Sequence, residues 1–314
     1  KVRAMKLRWA TDVHLDHLTD RAAREFCRML VADLSEGDAV VVTGDISNSR
    51  QLAQHLRDLA TACDGAGCRG YFVLGNHDYY GSSVHDVGVT AVEACGDRLR
   101  WLDVAGPVTL ATAPLVNIRH AAAALVGVGG WADARVGNPS TPLLMNDFRL
   151  IDDLADEMSP GAIIQWRNGA DRTALHAKLR ALADDDAAHL RRQIGAAVAT
   201  GAALVIAATH VPPWPCAAMH EGKPSSPDFT PYFVSTATGD VLIEAAGAHP
   251  DVKFLVLCGH SHGAGDTLIS PNLRVRTGPA EYGSPGVAAT FDVSVDLGGD
   301  NSGDAARVVV RDDA

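Results

Sequence analysis

Short apolar runs recur along the chain, and several stop abruptly at a polar cluster. Leu7 to Ala10 runs into Thr11-Asp12-Val13-His14, and Asp38 to Val42 into Thr43-Gly44-Asp45. Tyr71 to Leu74 runs into Gly75-Asn76-His77-Asp78. Between them the period changes. Residues 19 to 34 carry Ala22, Phe26, Met29 and Leu30 on one predicted helical face with Thr19 as N-cap, and Arg50 to Cys63 gives a second helix stopped by Gly65 and Gly67. Buried strands alternating with helices predict an α/β sheet with parallel pairs.

After a predicted helix at 82 to 95 the rhythm shifts to strands at 98 to 103, 107 to 112 and 122 to 128. Residues 132 to 200 differ in character: a Pro-containing loop, then an Ala/Leu/Arg-rich stretch from Ala170 to Ala199 with helical period. This reads as a helical insertion that caps or flanks a site, within a single domain spanning 1 to 314. Leu204 to Ala208 is a strand ending in Thr209-His210, followed by a long Pro-rich loop to Tyr232. Such loops are often functional. A helix at 238 to 248 leads to the strand 252 to 257, which ends in Gly259-His260-Ser261-His262. The tail (267 to 269, 273 to 276, 287 to 295, 306 to 310) is β-rich and predicts a second sheet.

Composition narrows the partners. The net charge is -11 at pH 7 with 21% charged residues, so no global basic field is available for nucleic acid. No apolar run reaches the ~20 residues of a membrane span. The six cysteines show no zinc-ribbon pairing, and the first residues have no signal-peptide core, which makes cytoplasmic the expected location.

Five strand ends together present Asp12, His14, Asp45, Asn76, His77, Asp78, His210, His260 and His262. In an open α/β sheet, groups just past the carboxyl ends of parallel strands collect in one crevice. Each motif alone reads as a capped turn or a satisfied core histidine; five at one topological position point to a site. Histidine, carboxylate and one amide oxygen suit manganese, iron or zinc better than calcium. There are too many ligands for one tetrahedral ion, and two ions ~3.5–4 Å apart would use them all.

In this order the stretches D-x-H, G-D, G-N-H-D, H and G-H-x-H resemble the motifs of the calcineurin-like metallophosphoesterase superfamily, over residues 12 to 262. The resemblance implies a four-layer αββα sandwich of two mixed β-sheets flanked by helices, with a two-metal site at the strand ends. It implies that Asp12, His14, Asp45 and His262 hold one divalent ion, and Asp45, Asn76, His210 and His260 the other. It further implies that His77 stands beside the leaving-group oxygen with Asp78 orienting its ring. The expected activity is hydrolysis of a phosphomonoester or phosphodiester by in-line attack of a metal-bridging hydroxide, with His77 as an imidazolium acid. The expected partner is a small-molecule phosphate ester. Alternatives are a nuclease or cyclic-nucleotide phosphodiesterase, with nucleic acid disfavoured by the charge, and a non-catalytic metal-binding scaffold.

Gly259-His260-Ser261-His262-Gly263 also fits the G-x-S-x-G nucleophile elbow. That fold places its histidine after the serine, and no histidine follows His262. Further candidates are Asp16, His17 and Asn48 near the site, Tyr79, Tyr80, Trp214 and His220 as overhanging groups, and Arg135 and Arg149 as phosphate clamps.

Overall fold

A computed structural model describes residues 4–112, 122–158, 161, 166, 171–296 and 307–312. Parts of the expected insertion (159–160, 162–165 and 167–170) and the start of the last expected strand at Ala306 lie outside them.

Two six-stranded mixed sheets stack face to face. The first has the order β14-β13-β1-β2-β3-β4, with β1 (Met5–Ala10), β2 (Ala39–Thr43), β3 (Arg69–Val73) and β4 (Leu99–Trp101) mutually parallel. Two antiparallel strands, β13 (Ala289–Asp296) and β14 (Arg307–Asp312), extend it. The second has the order β11-β12-β10-β7-β6-β5. Its parallel centre is β6 (Ala122–Val128), β7 (Ala202–Thr209), β10 (Lys253–Cys258) and β12 (Leu273–Thr277). Antiparallel β5 (Val108–Thr112) and β11 (Gly265–Ser270) close its edges. A two-residue hairpin, β8 (Met219–His220) and β9 (Lys223–Pro224), lies in the long loop.

The parallel strands read as continuous apolar runs because both faces are covered. In β2, Ala39 and Val41 join the layer between the sheets, while Val40 and Val42 face the helices. In β10, Leu255 and Leu257 point inward and Phe254, Val256 and Cys258 outward. The inter-sheet layer centres on Trp9, Leu7, Ile206 and Leu257, all essentially without solvent contact. Trp9 also donates its indole N–H to Thr43 Oγ1 at 2.9 Å. Truncating it to alanine would open a cavity costing ~3–5 kcal/mol.

Helices α1 (Asp20–Leu30), α2 (Ser49–Ala66) and α3 (Val84–Ala94) cover the first sheet. Thr19 caps α1 as expected, accepting the Ala22 N–H. The buried stripe of α1 is Ala23, Phe26, Cys27 and Leu30; Ala22 and Met29 face solvent, a correction to the predicted face. The i, i+3, i+4, i+7 spacing fits this stripe better. The predicted strand at 98 to 103 shortens to β4 and turns into a one-turn helix, α4 (Leu102–Ala105), which drops Leu102 into the inter-sheet layer.

The stretch from 132 divides in two. Its first part carries the single-turn helices α5 (Asp147–Leu150) and α6 (Asp152–Ala155). Its second, α7 (Thr173–Ala199), lies on the second sheet with Ala187, Leu190, Ile194 and Ala197 buried. Gln193 fixes α7 in place: its amide pairs with both the N–H and the carbonyl of Gly127 in β6. After another short helix, α8 (Thr230–Phe233), α9 (Thr236–Ala248) packs beside α7. Among the described residues the tail does not form a sheet of its own. Its strands split, β11 and β12 extending the second sheet and β13 and β14 the first. A strand pattern carries its two faces but not its partner. Among the described residues no helix is long and apolar enough to cross a membrane.

Candidate metal centre

The strand ends of both sheets meet over one crevice, and backbone bonds lock them there. Asp12 N–H donates to the Gly44 carbonyl at 3.1 Å and His14 N–H to the Asp45 carbonyl at 2.9 Å. Across the sandwich, Gly259 N–H donates to the His210 carbonyl at 2.9 Å. The Asp12 carboxylate joins the sheets by accepting His260 N–H at 2.9 and 3.1 Å.

The backbone is bent to aim these side chains. Asp12, His14, Asp45, His260 and His262 all have φ between 39° and 64°, in the left-handed region. An L-residue there costs ~1–2 kcal/mol, and such strain clusters at functional sites. Two glycines make the crowding possible. A Cβ on Gly75 would sit 2.3 Å from Asp45 Oδ1, and one on Gly259 would sit 2.0 Å from Asp12 Oδ2. Gly75 is therefore required by close approach.

Two groups of donors form around Asp45. In the first, ligand atoms of Asp12, His14, Asp45 and His262 all lie within 4.8 Å of one another. His14 Nε2 is 3.3 Å from His262 Nε2 and 3.7 Å from Asp45 Oδ2, while His262 Nε2 is 3.4 Å from Asp12 Oδ1. In the second, Asn76 Oδ1 is 3.0 Å from His210 Nε2 and 2.9 Å from His260 Nδ1. His210 Nε2 is in turn 3.3 Å from Asp45 Oδ1.

The surroundings decide what the second group can bind. His210 donates its Nδ1–H to the Thr43 carbonyl at 2.9 Å, and His260 its Nε2–H to the Tyr232 carbonyl at 2.9 Å. Asn76 gives its amide N–H to Asp147 Oδ1 at 2.9 Å. What remains facing inward is two imidazole lone pairs 3.2 Å apart and an amide oxygen, with no proton to link them. Converging lone pairs in a buried site repel, and a cation between them removes the conflict. The donor set therefore fits a divalent metal.

Electrostatics agree. Burial, with Asp12 and Asp78 nearby, pushes the Asp45 carboxyl well above its ordinary range. Burial pushes Asp12 up as well, but its hydrogen bond to His262 and the surrounding histidines outweigh this and hold it below. Burial and His77 press His14 down to about 2, and burial and His210 press His260 down to about 4. Neutral imidazoles beside buried carboxylates are what a cation would reconcile.

The sequence profile of the calcineurin-like phosphoesterase family matches residues 5–264. The chain belongs to that family. Among solved structures it resembles a dimetal phosphatase from Danio rerio at 15% identity and a TM-score of 0.51, over 92% of this chain and 93% of that one. It also resembles TT1561 of Thermus thermophilus (13% identity, TM-score 0.42, 88% and 89% covered) and the calcineurin-like phosphoesterase YfkN of Bacillus subtilis (9%, 0.45, 99% and 91%). No curated protein matches by sequence. The first of these likenesses supports the fold, the αββα sandwich of the calcineurin-like phosphoesterases.

In this calcineurin-like phosphoesterase Asp78 does not orient His77, a correction to the expected pairing. Both Asp78 oxygens are taken by backbone: Oδ1 accepts from Ile46 at 2.9 Å and Ser47 at 2.8 Å, and Oδ2 from Gly75 at 2.8 Å. The buried carboxylate thereby staples the Asp45 loop to the Asn76 turn. His77 instead stacks on Tyr80 at 4.3 Å between centroids and brings Nε2 to 4.0 Å from Asp45 Oδ2. Burial, with His260 nearby, lowers its pKa to about 4.

A cleft of about 530 Å³ opens from the donors, walled by Leu144, Met145, Phe229 and Phe233. Tyr80 and His220 line it as expected. Tyr79 is instead buried against Trp131, and Trp214 packs on the outer core. Arg135 is held by Asp133 and Asp184, and Arg149 by Asn146; neither lines the cleft, whose lysine is Lys223. Asn48 caps α2 and donates to Asp16 at 3.0 Å. Ser261 is 2% exposed, and among the described residues its hydroxyl has no hydrogen-bond partner, so the elbow motif forms no hydrogen-bonded pair of serine and base.

Two contributors escaped the sequence reading. Asp147, from α5, takes both the Asn76 amide and the Tyr80 hydroxyl at 2.6 Å. Tyr282 lays its ring 4.4 Å from His14 and 5.1 Å from His262, with its hydroxyl 3.5 Å from His77 Nε2. Neither sits in a motif or at a strand end, so no local signal marked them.

Proposed function

We propose that this protein, acting as a single domain, hydrolyses a small-molecule phosphate ester with two divalent ions of manganese, iron or zinc. The observation that supports this most is the placing of Asp45: Oδ2 faces His14 and Oδ1 faces His210, so one carboxylate serves both donor groups. Asp12, His14, Asp45 and His262 would hold one ion, and Asp45, Asn76, His210 and His260 the other. When bound, the ions supply an activated water and offset charge on the phosphoryl oxygens.

The chain's own groups do the rest. Backbone bonds from Thr43 and Tyr232 fix the tautomers of His210 and His260. His77, at the rim of the donor set, donates a hydrogen bond to the departing oxygen. The rings of Tyr80 and Tyr282 lie 4.3 and 6.0 Å from its own and position it. A cleft with one lysine in its described lining, on a chain of net charge -11, favours a small ester over nucleic acid. A cytoplasmic setting belongs to the same reading, supported by six free cysteines, four of them buried.

The test is reconstitution of metal-free protein with each ion. Bound metal is counted per chain, and 4-nitrophenyl phosphate, bis(4-nitrophenyl) phosphate and cyclic nucleotides are assayed. Two ions per chain and metal-dependent hydrolysis are expected; no metal-dependent turnover of any ester would overturn the reading.

A further inference from the structure

The metal-facing cleft is one of two cavities that meet at a common wall. The second, about 560 Å³, is bounded by Asp16, His17, Asn48, Arg50 and Leu150. His77, Tyr80, Asn146 and Tyr282 line both. The imidazole assigned to the departing oxygen therefore stands where the two cavities join.

Both linings mix apolar and polar groups, but they are arranged differently. The first has one apolar wall, Leu144, Met145, Phe229 and Phe233, with the two phenylalanines edge-to-face at 5.4 Å, and a polar rim of Glu221, Lys223, Ser225 and Ser226. The second presents hydrogen-bonding and charged groups. Asp16 Oδ2 takes the Asn48 amide, while Asp16 Oδ1 is shielded from solvent and has no hydrogen-bond partner among the described residues. Arg50 is exposed and forms no ion pair with a described residue. A phosphomonoester has one organic arm and would leave one cavity without a role. A phosphodiester has two arms diverging from the phosphorus.

We propose that the substrate is an asymmetric phosphodiester, with an apolar arm in the Leu144–Phe233 cleft and a hydroxyl-bearing polar arm in the Asp16–Arg50 cavity. This rests on the phosphoesterase reading and narrows it. One water is consumed: its oxygen bonds to phosphorus, the P–O bond to one arm breaks, and a proton ends on that arm's oxygen. The products are one alcohol and one phosphomonoester, with no oxidant or reductant involved.

The experiment compares three esters of one chromophore on the metal-loaded protein: 4-nitrophenyl phosphate, bis(4-nitrophenyl) phosphate and 4-nitrophenyl glyceryl phosphate. The glyceryl diester is expected to exceed both others in kcat/KM by about tenfold or more. Leu150→Trp, a change on an exposed one-turn helix, narrows the polar cavity; it should lower the glyceryl ester's kcat/KM about tenfold relative to the monoester. Arg50→Ala is the second variant and should shift the ratio the same way. The independent readout is calorimetric Kd for a non-hydrolysable phosphonate counterpart of the glyceryl diester, weakened in both variants.

A monoester cleaved as well as the diesters, with a ratio unmoved in both variants, overturns the inference and leaves the phosphoesterase reading intact. If no ester is cleaved but the phosphonate binds and both variants weaken it, the two-armed site stands and the hydrolase reading falls.

Discussion

Asn76 hands its amide N–H to Asp147 across 71 positions of sequence, at 2.9 Å, and that bond decides which end of the amide faces the histidines. With Asp147→Ala the amide can turn over and present N–H groups where an oxygen is needed. Outer partners of this kind are typically worth ~10–100-fold in metal affinity. Titration of metal-free protein is expected to show one of two binding steps weakened by about that factor, with the Asp12–His262 step nearly unchanged. Equal loss at both steps would mean that Asp147 acts only through the fold.

Asp78 is expected to matter for the frame and not for proton transfer. In Asp78→Asn one oxygen still accepts from Ile46 and Ser47, but the new amide N–H₂ confronts the Gly75 N–H. An unsatisfied buried donor costs ~1–3 kcal/mol. Denaturant unfolding should show a loss of that size, with the acid limb of the kcat/KM profile unmoved. A shifted limb would restore the role in orienting His77.

His77→Ala is expected to keep the bound metal, because no ligand is lost, and to cut turnover by ~10²–10³-fold, as for the loss of one hydrogen-bond donor to a developing oxyanion. The loss should be largest for poor leaving groups. Metal content by mass spectrometry and a leaving-group series check the two halves separately.

The depressed pKa of His77 has a sign that can be measured on the metal-free protein. Folded His77 titrates near 4 and the unfolded ring near 6.5. Between those values the unfolded chain binds more protons, so this group's contribution to stability falls as the pH is lowered from 6.5 to 4. The slope is at most ~1.4 kcal/mol per pH unit, reduced because the side chain is partly exposed. The stability of His77→Gln should therefore fall less than that of the wild type across this window. Identical slopes would show that the ring is not shielded.

Gly75→Ala tests the crowding directly. Its Cβ would lie 2.3 Å from Asp45 Oδ1 and 2.5 Å from Asp45 N, neither of which is free to yield. Overpacking of this kind costs ~1–3 kcal/mol. Thermal unfolding should register that loss, and the variant should bind fewer than two metal ions.

What the sequence determined alone was whatever is written locally. The apolar runs fixed the strands, because a parallel strand covered on both faces must be apolar throughout. The polar residues following five of them assembled the donor groups, because such groups converge at a sheet's carboxyl edge. Thr19 as a cap was legible for the same reason. Tertiary structure decided what depends on distant partners. It split the tail strands between two sheets, since alternation does not specify a neighbour. It moved Asp78 from the His77 ring to three backbone N–H groups, because a strand-end turn leaves the side chain's direction open. It brought in Asp147 and Tyr282, which carry no motif. It also set the tautomers of His210 and His260 through carbonyls of Thr43 and Tyr232, and so turned a cluster of histidines into a set of inward-facing lone pairs.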